Sequence, residues 1–507
     1  MTSTLHRRAR NIALGWEGRL DSPSGDRIVP WVCAGGLFIT LIVLALAQAR
    51  ALSSNVNLAT FVQAVWQIRH GMQPLSTITT GENILGSQGA VVLYPLALAT
   101  KLVPTIPLLI GVQSAALALA VVPLWRVCRH LANLPTGASL MVLFVYSLHP
   151  IIHTLNLDGF HPETIALPFL IGAGYFGLTQ HWRRFAFCCV IAMACRADLG
   201  LAVAGIGVLL IVQGFRRRGL VALTAGVMWF CCFLVLVQPH FAHSVSQLGA
   251  YSAYGTSPLS VAWGMVTRPA EVLSQILSRE NFGLLVFLFA PLLFLPFLSP
   301  RYLMPVVPLQ LLYLAGEVPP SVRYGPQAVA ITAFMFLALP RGLSRLGRVN
   351  VTVAHIDRRV LITMAIAACS FFVLFSPSSP YEKPWFWGGQ DAADGARIEV
   401  ANAIPADTRV RSTASVLTLL SERSVLYSID SAPIADGEIH AEAIGADVDV
   451  IVIDRRDLLG SDQRPVLLKM EISRTERQLE SDLQAQGFAI TFDSQEIVKF
   501  ERHGDEP

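Results

Sequence analysis

Long apolar runs, broken by clusters of arginine, recur through residues 29–376 of this 507-residue chain. Each run has to be kept from water. A chain with this many can do so only as a bundle of helices in a bilayer, where every backbone N–H and C=O is satisfied inside its own helix. Charged residues make up 14% of the sequence, against roughly 25% in soluble proteins. A soluble globular fold is therefore excluded. We read about eleven spans, near 29–49, 106–126, 137–153, 163–180, 184–196, 199–214, 219–239, 281–298, 302–316, 325–340 and 360–376. Several fall short of the ~20 residues that suit a typical bilayer.

The net charge of +3 conceals two bodies. Residues 1–375 carry 25 Lys+Arg and 11 Asp+Glu, whereas residues 376–507 carry 13 and 24. Arg7, Arg8, Arg10, Arg19 and Arg27 precede the first span and place the N-terminal segment, residues 1–28, in the cytoplasm. Arg126/Arg129, Arg183/Arg184, Arg216–Arg218 and Arg341/Arg345/Arg348/Arg358/Arg359 then also lie inside, provided that the apolar stretch 89–103 lies on the membrane surface rather than crossing it. Ala47-Gln48-Ala49 resembles a signal-peptidase site. The apolar run before it exceeds the roughly 7–15 residues of a signal peptide, so we read it as a retained span.

This count makes residues 29–376 a transmembrane body with an outer loop at 50–105. A proline- and glycine-rich linker follows at 377–390, and an extracytoplasmic domain at 391–507. In that domain helices near 391–403, 415–422 and 473–486 alternate with strands near 410–413, 425–427 and 448–454 and two more around 488–501, the pattern of a small α/β layer structure. Its acidic balance argues against binding nucleic acid or anionic headgroups.

The stretch Asn156–Pro168, N-L-D-G-F-H-P-E-T-I-A-L-P, sets Asp158, His161 and Glu163 at a membrane edge. Ionisable groups there are costly to desolvate and are functional candidates. The simpler alternative is that Pro162 and Glu163 open a helix, at positions where proline and a carboxylate are favoured. Arg196-Ala197-Asp198 forms a tight turn between two apolar segments, either a local ion pair or a second part of the same site. The topology brings it to the same face as Asp158, His161 and Glu163. His149 and His153, four residues apart, could join His161 and Glu163 around a divalent metal. Interfacial histidines commonly serve only as hydrogen-bond partners, so we assign no metal ligand and no cofactor. Asp454 and Asp457 at a strand end read as solvated loop residues before a ligand site. Trp66, Tyr94, Tyr251, Tyr254, Trp263 and Trp385-Phe386-Trp387 read as an interfacial aromatic belt, or as a surface on which sugars stack. Transport has less support, since neither a phosphate-binding G-x-x-x-x-G-K-[ST] loop nor an inverted repeat is evident.

The runs N-L-D-G-F-H-P-E and C-R-A-D-L-G-L, about 35 residues apart, resemble a family of bacterial and archaeal polytopic membrane proteins known by a domain-of-unknown-function label. That family is similar to the GT-C glycosyltransferases. Phe61, Gln63, Ala64, Trp66 and Gly71, the stretch Pro104–Arg126 and the run ending at Pro300 also fit it. So do the tail phrases V-R-S-T-A-S-V-L-T-L-L-S-E-R and D-V-D-V-I-V-I-D-R-R-D. The resemblance covers roughly residues 50–500. It implies a GT-C-like membrane enzyme in the plasma membrane. Such an enzyme takes a sugar from a polyprenyl-phosphate donor and passes it to an envelope glycan or lipid acceptor. A carboxylate of the first outer loop serves as base and basic groups hold the leaving phosphate.

The chain departs from the family at that loop. Where relatives carry D-L-G-x-F-D-Q, here stand Asn57-Leu58-Ala59-Thr60-Phe61-Val62-Gln63, and Ser87-Gln88 replaces a further D/H pair. Glu82 is the sole carboxylate between residues 50 and 105. Either Asp158, Glu163, Asp198 or Glu82 takes the role of base, or the protein is a non-catalytic relative that binds lipid-linked glycan or scaffolds an envelope complex. On the catalytic reading Asp158, Glu163 and Asp198 are the acid/base candidates. Arg196 clamps phosphate, His161 orients, and Asn57, Gln63 and Trp66 contact substrate.

Overall fold

The computed structural model describes residues 22–52, 56–79, 81–241, 246–349, 356–381, 389–431, 434–435, 438–439, 444–459 and 479–502. Arg7, Arg8, Arg10, Arg19, Trp385-Phe386-Trp387 and the start of the helix expected at 473–486 lie outside these residues.

Helix α1, Pro23–Arg50, starts where Ser22 accepts a hydrogen bond from the Gly25 N–H and Pro23 fixes the first turn. Asp26 in that turn pairs with Arg129 at 2.9 Å, tying the start of α1 to the far end of the apolar stretch that begins with α3, Thr105–Leu119. Five described helical stretches are long and apolar enough to cross a membrane: Pro23–Arg50, Thr105–Leu131, Arg216–Phe241, Ala328–Leu346 and Arg358–Phe375. Two bent pairs, Thr136–Leu148 with Pro150–Leu157 and Pro269–Ile276 with Arg279–Leu292, raise the number to seven if each is one span.

The remaining apolar runs, counted as spans from sequence, form shorter helices: α4 (Pro162–Leu178), α5 (Trp182–Cys195) and α6 (Leu199–Val212). The expected spans at 281–298 and 302–316 are broken into 3-10 turns between Phe289 and Val307. Prolines 291, 296, 300 and 305 explain the break, since each removes an N–H and clashes with the preceding turn. The segment at 89–103 forms only the seven-residue helix Leu93–Ala99, too short to cross, with Tyr94, Leu98 and Leu102 exposed.

Helix α6 lies against α7, Arg216–Cys232, through glycines. A Cβ at Gly226 would fall 2.3 Å from the Gly200 carbonyl oxygen, so only small residues allow the two backbones to approach this closely. The most buried of the candidate spans is in α9, Ala328–Val349, which packs against α4. Helices α4 and α6 also touch each other directly.

The C-terminal domain is a five-stranded mixed sheet. Its strands are β1 (Val410–Ser412), β2 (Leu426–Ser428), β3 (Val450–Asp454), β4 (Phe488–Ser494) and β5 (Ile497–Arg502), in the order β2-β1-β3-β5-β4. Strands β2, β1 and β3 are parallel, with Arg411 opposite both Tyr427 and Ile451; β5 runs antiparallel to β3 and to β4. Helices Ala392–Ala403 and Ala414–Leu420 bury Val400, Val416 and Leu417 against one face, and Ile429, Ile453 and Phe500 fill the other.

Candidate functional site

A cavity of about 650 Å³ opens where α4, α6, α7 and the 50–105 segment meet, a size usual for ligand sites. Asn57, His161, Glu163, Arg196 and Asp198 all line it, together with Ser87 and Gln88. Residues from four separate parts of the sequence therefore share one space.

The start of α4 shows how this arises. Pro162 is its first residue, Glu163 sits in its first turn and His161 is its N-cap, so the helix-opening reading of these residues is correct. It does not exclude the functional one, because the same turn brings Glu163 to Arg196. Arg196 Nη1 donates to Glu163 Oε1 at 2.5 Å, and Arg196 Nε lies 3.0 Å from Asp198 Oδ2. Tyr313, on helix α8 (Val307–Ala315), donates its hydroxyl to the same Asp198 oxygen at 2.7 Å, and its ring lies 5.8 Å from the guanidinium carbon. Among the described residues nothing donates to Glu163 Oε2 or Asp198 Oδ1. Buried carboxylate oxygens without a donor are costly, so each of these oxygens can accept a hydrogen bond from a ligand.

Asp158 does not line the cavity. It accepts from His161 Nε2 at 3.1 Å and its carbonyl accepts from Asn57 Nδ2 at 3.4 Å, so it steadies two groups that do. Glu82 is buried beside the short pairing of residues 75–76 with 82–83, away from the cavity. Gln63 and Trp66 share helix α2, Val56–Arg69, with Asn57 but lie outside the cavity. Gln63 donates to Thr77 Oγ1 at 2.7 Å, and Trp66 lies against His70 with ring centroids 4.2 Å apart.

His149 and His153 do not join His161. His149 Nε2 bonds the Leu288 carbonyl at 2.9 Å, and His153 bonds Ser378 Oγ and the Ser147 carbonyl, each at 2.8 Å. Among the described residues no cluster of three or more His, Cys, Asp or Glu is placed to hold a metal. Asp454 is fully buried and accepts from Arg397 Nε at 2.7 Å; burial pushes its carboxyl up and the guanidinium opposes that shift. Asp457 accepts from the Ser415 N–H and hydroxyl, so the pair serves the domain's interior rather than solvated loops.

Sequence reasoning missed three groups. Tyr313 sits in an apolar run and carries no local signal. Gln113 is wholly internal: its Oε1 accepts from the His161 N–H at 2.8 Å and Thr164 Oγ1 at 3.3 Å, while Nε2 donates to the carbonyls of Leu155 and Gly159. One side chain so fixes the whole Leu155–Thr164 turn. A glutamine in an apolar span was the available signal. The third is the π-helical turn Phe233–Val237, which lines the cavity with Phe233 and Leu234. Such turns recur at functional sites.

The fold is similar to that of ArnT from Cupriavidus metallidurans, whose structure contains bound undecaprenyl phosphate. The identity is 9% and the TM-score 0.50, covering 94% of this chain and 98% of that one. The apo oligosaccharyltransferase of Archaeoglobus fulgidus is also similar, at 11% identity and a TM-score of 0.38, covering 83% of this chain and 69% of that one. No curated protein matches the sequence. Residues 49–497 match the family described as predicted membrane protein (DUF2079), and the chain belongs to that family.

Proposed function

We propose that this protein is a glycosyltransferase of the cell envelope that uses a polyprenyl-phosphate-linked sugar and works in the cavity at Glu163 and Arg196. The observation that carries the reading is the mixed lining. The Arg196, Glu163 and Asp198 cluster shares the cavity with Phe230, Phe233, Leu234, Val261, Met265 and Leu312. A lipid-linked sugar brings a phosphate for the guanidinium and a hydrocarbon chain for the apolar walls. The ArnT structure of similar fold holds such a lipid, which supports the assignment.

In the reaction the acceptor hydroxyl oxygen bonds to the anomeric carbon as the carbon–oxygen bond to phosphate breaks. Polyprenyl phosphate leaves with that electron pair, and the hydroxyl proton passes to a carboxylate. Glu163 suits this task better than Asp158, since Glu163 lines the cavity and one of its oxygens accepts no hydrogen bond. Arg196 holds the departing phosphate. His161, kept in place by Asp158, and Asn57 bind the sugar or acceptor. The domain beyond residue 390 and this end of the bundle face outward, with the N-terminus in the cytoplasm.

Asn57 favours a second reading. It lines the cavity in the loop where the resemblance to GT-C enzymes implies an acid, and an amide cannot take the proton. A non-catalytic relative that binds lipid-linked glycan, or scaffolds an envelope complex, would keep the cavity and lose the chemistry. Mass spectrometry of envelope glycans and polyprenyl-phosphate sugars in a deletion strain separates the two. A missing glycan with accumulated donor, restored by wild type and not by Glu163→Gln, supports transfer. An unchanged profile, or full rescue by that variant, supports the binding role.

A further inference from the structure

Helix α2 has two working faces. Asn57 and Phe61 line the cavity, while Ala59 joins a hydrophobic cluster with Ile78 and with Val400, Val416, Leu417 and Leu426 of the C-terminal domain. Gln63 Nε2 reaches the Arg423 carbonyl at 3.5 Å, and Gln67 Nε2 the Ser424 carbonyl at 3.1 Å.

The joint centres on one hydroxyl. Thr77 Oγ1 donates to the Leu426 carbonyl at 2.7 Å, and accepts from the Leu426 N–H at 3.0 Å and from Gln63 Nε2 at 2.7 Å. That uses its one donor and both acceptor sites. The Ser428 N–H bonds the Ile78 carbonyl at 3.4 Å, so residues 77–78 cover the edge strand β2. Farther along the same segment, the Gln88 carbonyl accepts from the Ala197 N–H at 3.0 Å, which anchors the loop to the Arg196 turn. The segment from Val56 to Gln88 is thus held by the C-terminal domain on one side and forms a wall of the cavity on the other.

We propose that the C-terminal domain sets the geometry of the cavity through this joint, with Thr77 and Gln63 as positioning residues for Asn57 and Phe61. Docking of the domain and occupancy of the cavity are then linked, so each strengthens the other. Gln63, a substrate contact by its position in the sequence, acts through the domain instead. The ligand arm of the test rests on the function proposed above; the exchange arm does not.

Thr77→Val keeps the side chain's shape and removes all three hydrogen bonds. In the full-length protein in nanodiscs, hydrogen–deuterium exchange should accelerate at residues 426–428 and also at 56–62, the stretch of α2 that carries Asn57 and Phe61 to the cavity. The affinity for undecaprenyl phosphate should fall about tenfold, inside the roughly 5–150-fold range of coupled sites. The melting temperature of the transmembrane body should stay as in wild type, and Thr77→Ser should restore both exchange and affinity. Faster exchange at 426–428 with 56–62 unchanged would overturn the proposal, as would unchanged affinity in a loosened joint. If the wild-type protein binds no polyprenyl phosphate, the transferase reading fails while the exchange at 56–62 still decides the coupling. If Thr77→Val does not fold, Gln63→Leu, which leaves the Thr77–Leu426 pair intact, is judged on the same two exchange regions.

Discussion

Arg196 and Glu163, 33 residues apart in the chain, meet through a 2.5 Å hydrogen bond between side chains that are 12% and 4% exposed. Asp198 approaches the same guanidinium at 3.0 Å. One cation thus serves two carboxylates at the head of the cavity, and its removal leaves both without compensation. Breaking a buried ion pair from one side typically costs about 3–5 kcal/mol. Arg196→Leu should lose stability of that order in thermal unfolding in nanodiscs, and Arg196→Lys should recover only part of it. A melting curve for Arg196→Leu that overlays wild type would show that the cluster is not a buried charge network.

The carboxylates should separate by role. Glu163→Gln removes the proposed proton acceptor and should slow sugar transfer by about 100-fold or more, the usual scale of general base catalysis. Asp158→Asn changes no residue that lines the cavity and should slow it less than tenfold. Rates measured on purified variants with a defined polyprenyl-phosphate sugar decide between them. A larger loss at Asp158 would move the base to the other side of His161.

Gln113→Leu tests the internal support of the turn. It strands the His161 N–H and the carbonyls of Leu155 and Gly159, all satisfied by this one side chain. Each buried polar group left alone costs about 1–3 kcal/mol. We expect a marked loss of stability, with Gln113→Glu intermediate, because a carboxylate keeps the acceptor and loses the donors. Chemical denaturation of the two variants measures the difference. Equal stability in Gln113→Leu would mean that the turn holds itself.

Gly89→Ala probes the wall formed by the 50–105 segment. Gly89 has φ +68°, and a Cβ there would meet the Ala197 Cβ at 2.8 Å and the Phe233 ring at 3.0 Å. The backbone conformation alone costs a residue with a Cβ about 1–2 kcal/mol. The crowding falls on the Arg196 turn and the π-helical turn together. The variant should fold with reduced stability and bind undecaprenyl phosphate more weakly, whereas Gly71→Ala, with open space at its Cβ, should leave binding unchanged. Equal binding by the two variants would separate this contact from the site.

Much of the fold was legible because each signal was local. Apolar runs and arginine clusters mark the helices, Pro162 with Glu163 marks the start of α4, and the alternation in the tail marks the five strands. The span count was less secure, because hydropathy averages over prolines. The run from Phe289 to Val307 is apolar but for Ser299 and Arg301, yet its four prolines turn it into short 3-10 pieces.

The site was legible only in part. Asp158, His161, Glu163, Arg196 and Asp198 stood out because ionisable groups beside apolar runs are rare. Nothing local distinguished Asp158, which lies behind His161, from Glu163, which lines the cavity. Gln63 looked like a substrate contact because it neighbours Asn57 and Phe61. A helix turns about 100° per residue, and that rotation sends Gln63 to the C-terminal domain while Phe61 reaches the cavity.

By itself, then, the sequence determined which segments leave water, where α4 begins and which ionisable residues sit beside apolar runs. Those properties depend on a residue and its near neighbours along the chain. Tertiary structure alone decided that Arg196 bridges Glu163 and Asp198, that Tyr313 and Gln113 support them, and that Thr77 joins the cavity wall to the C-terminal sheet. Those contacts depend on how helices cross and which faces they turn inward, and packing across the whole bundle sets both.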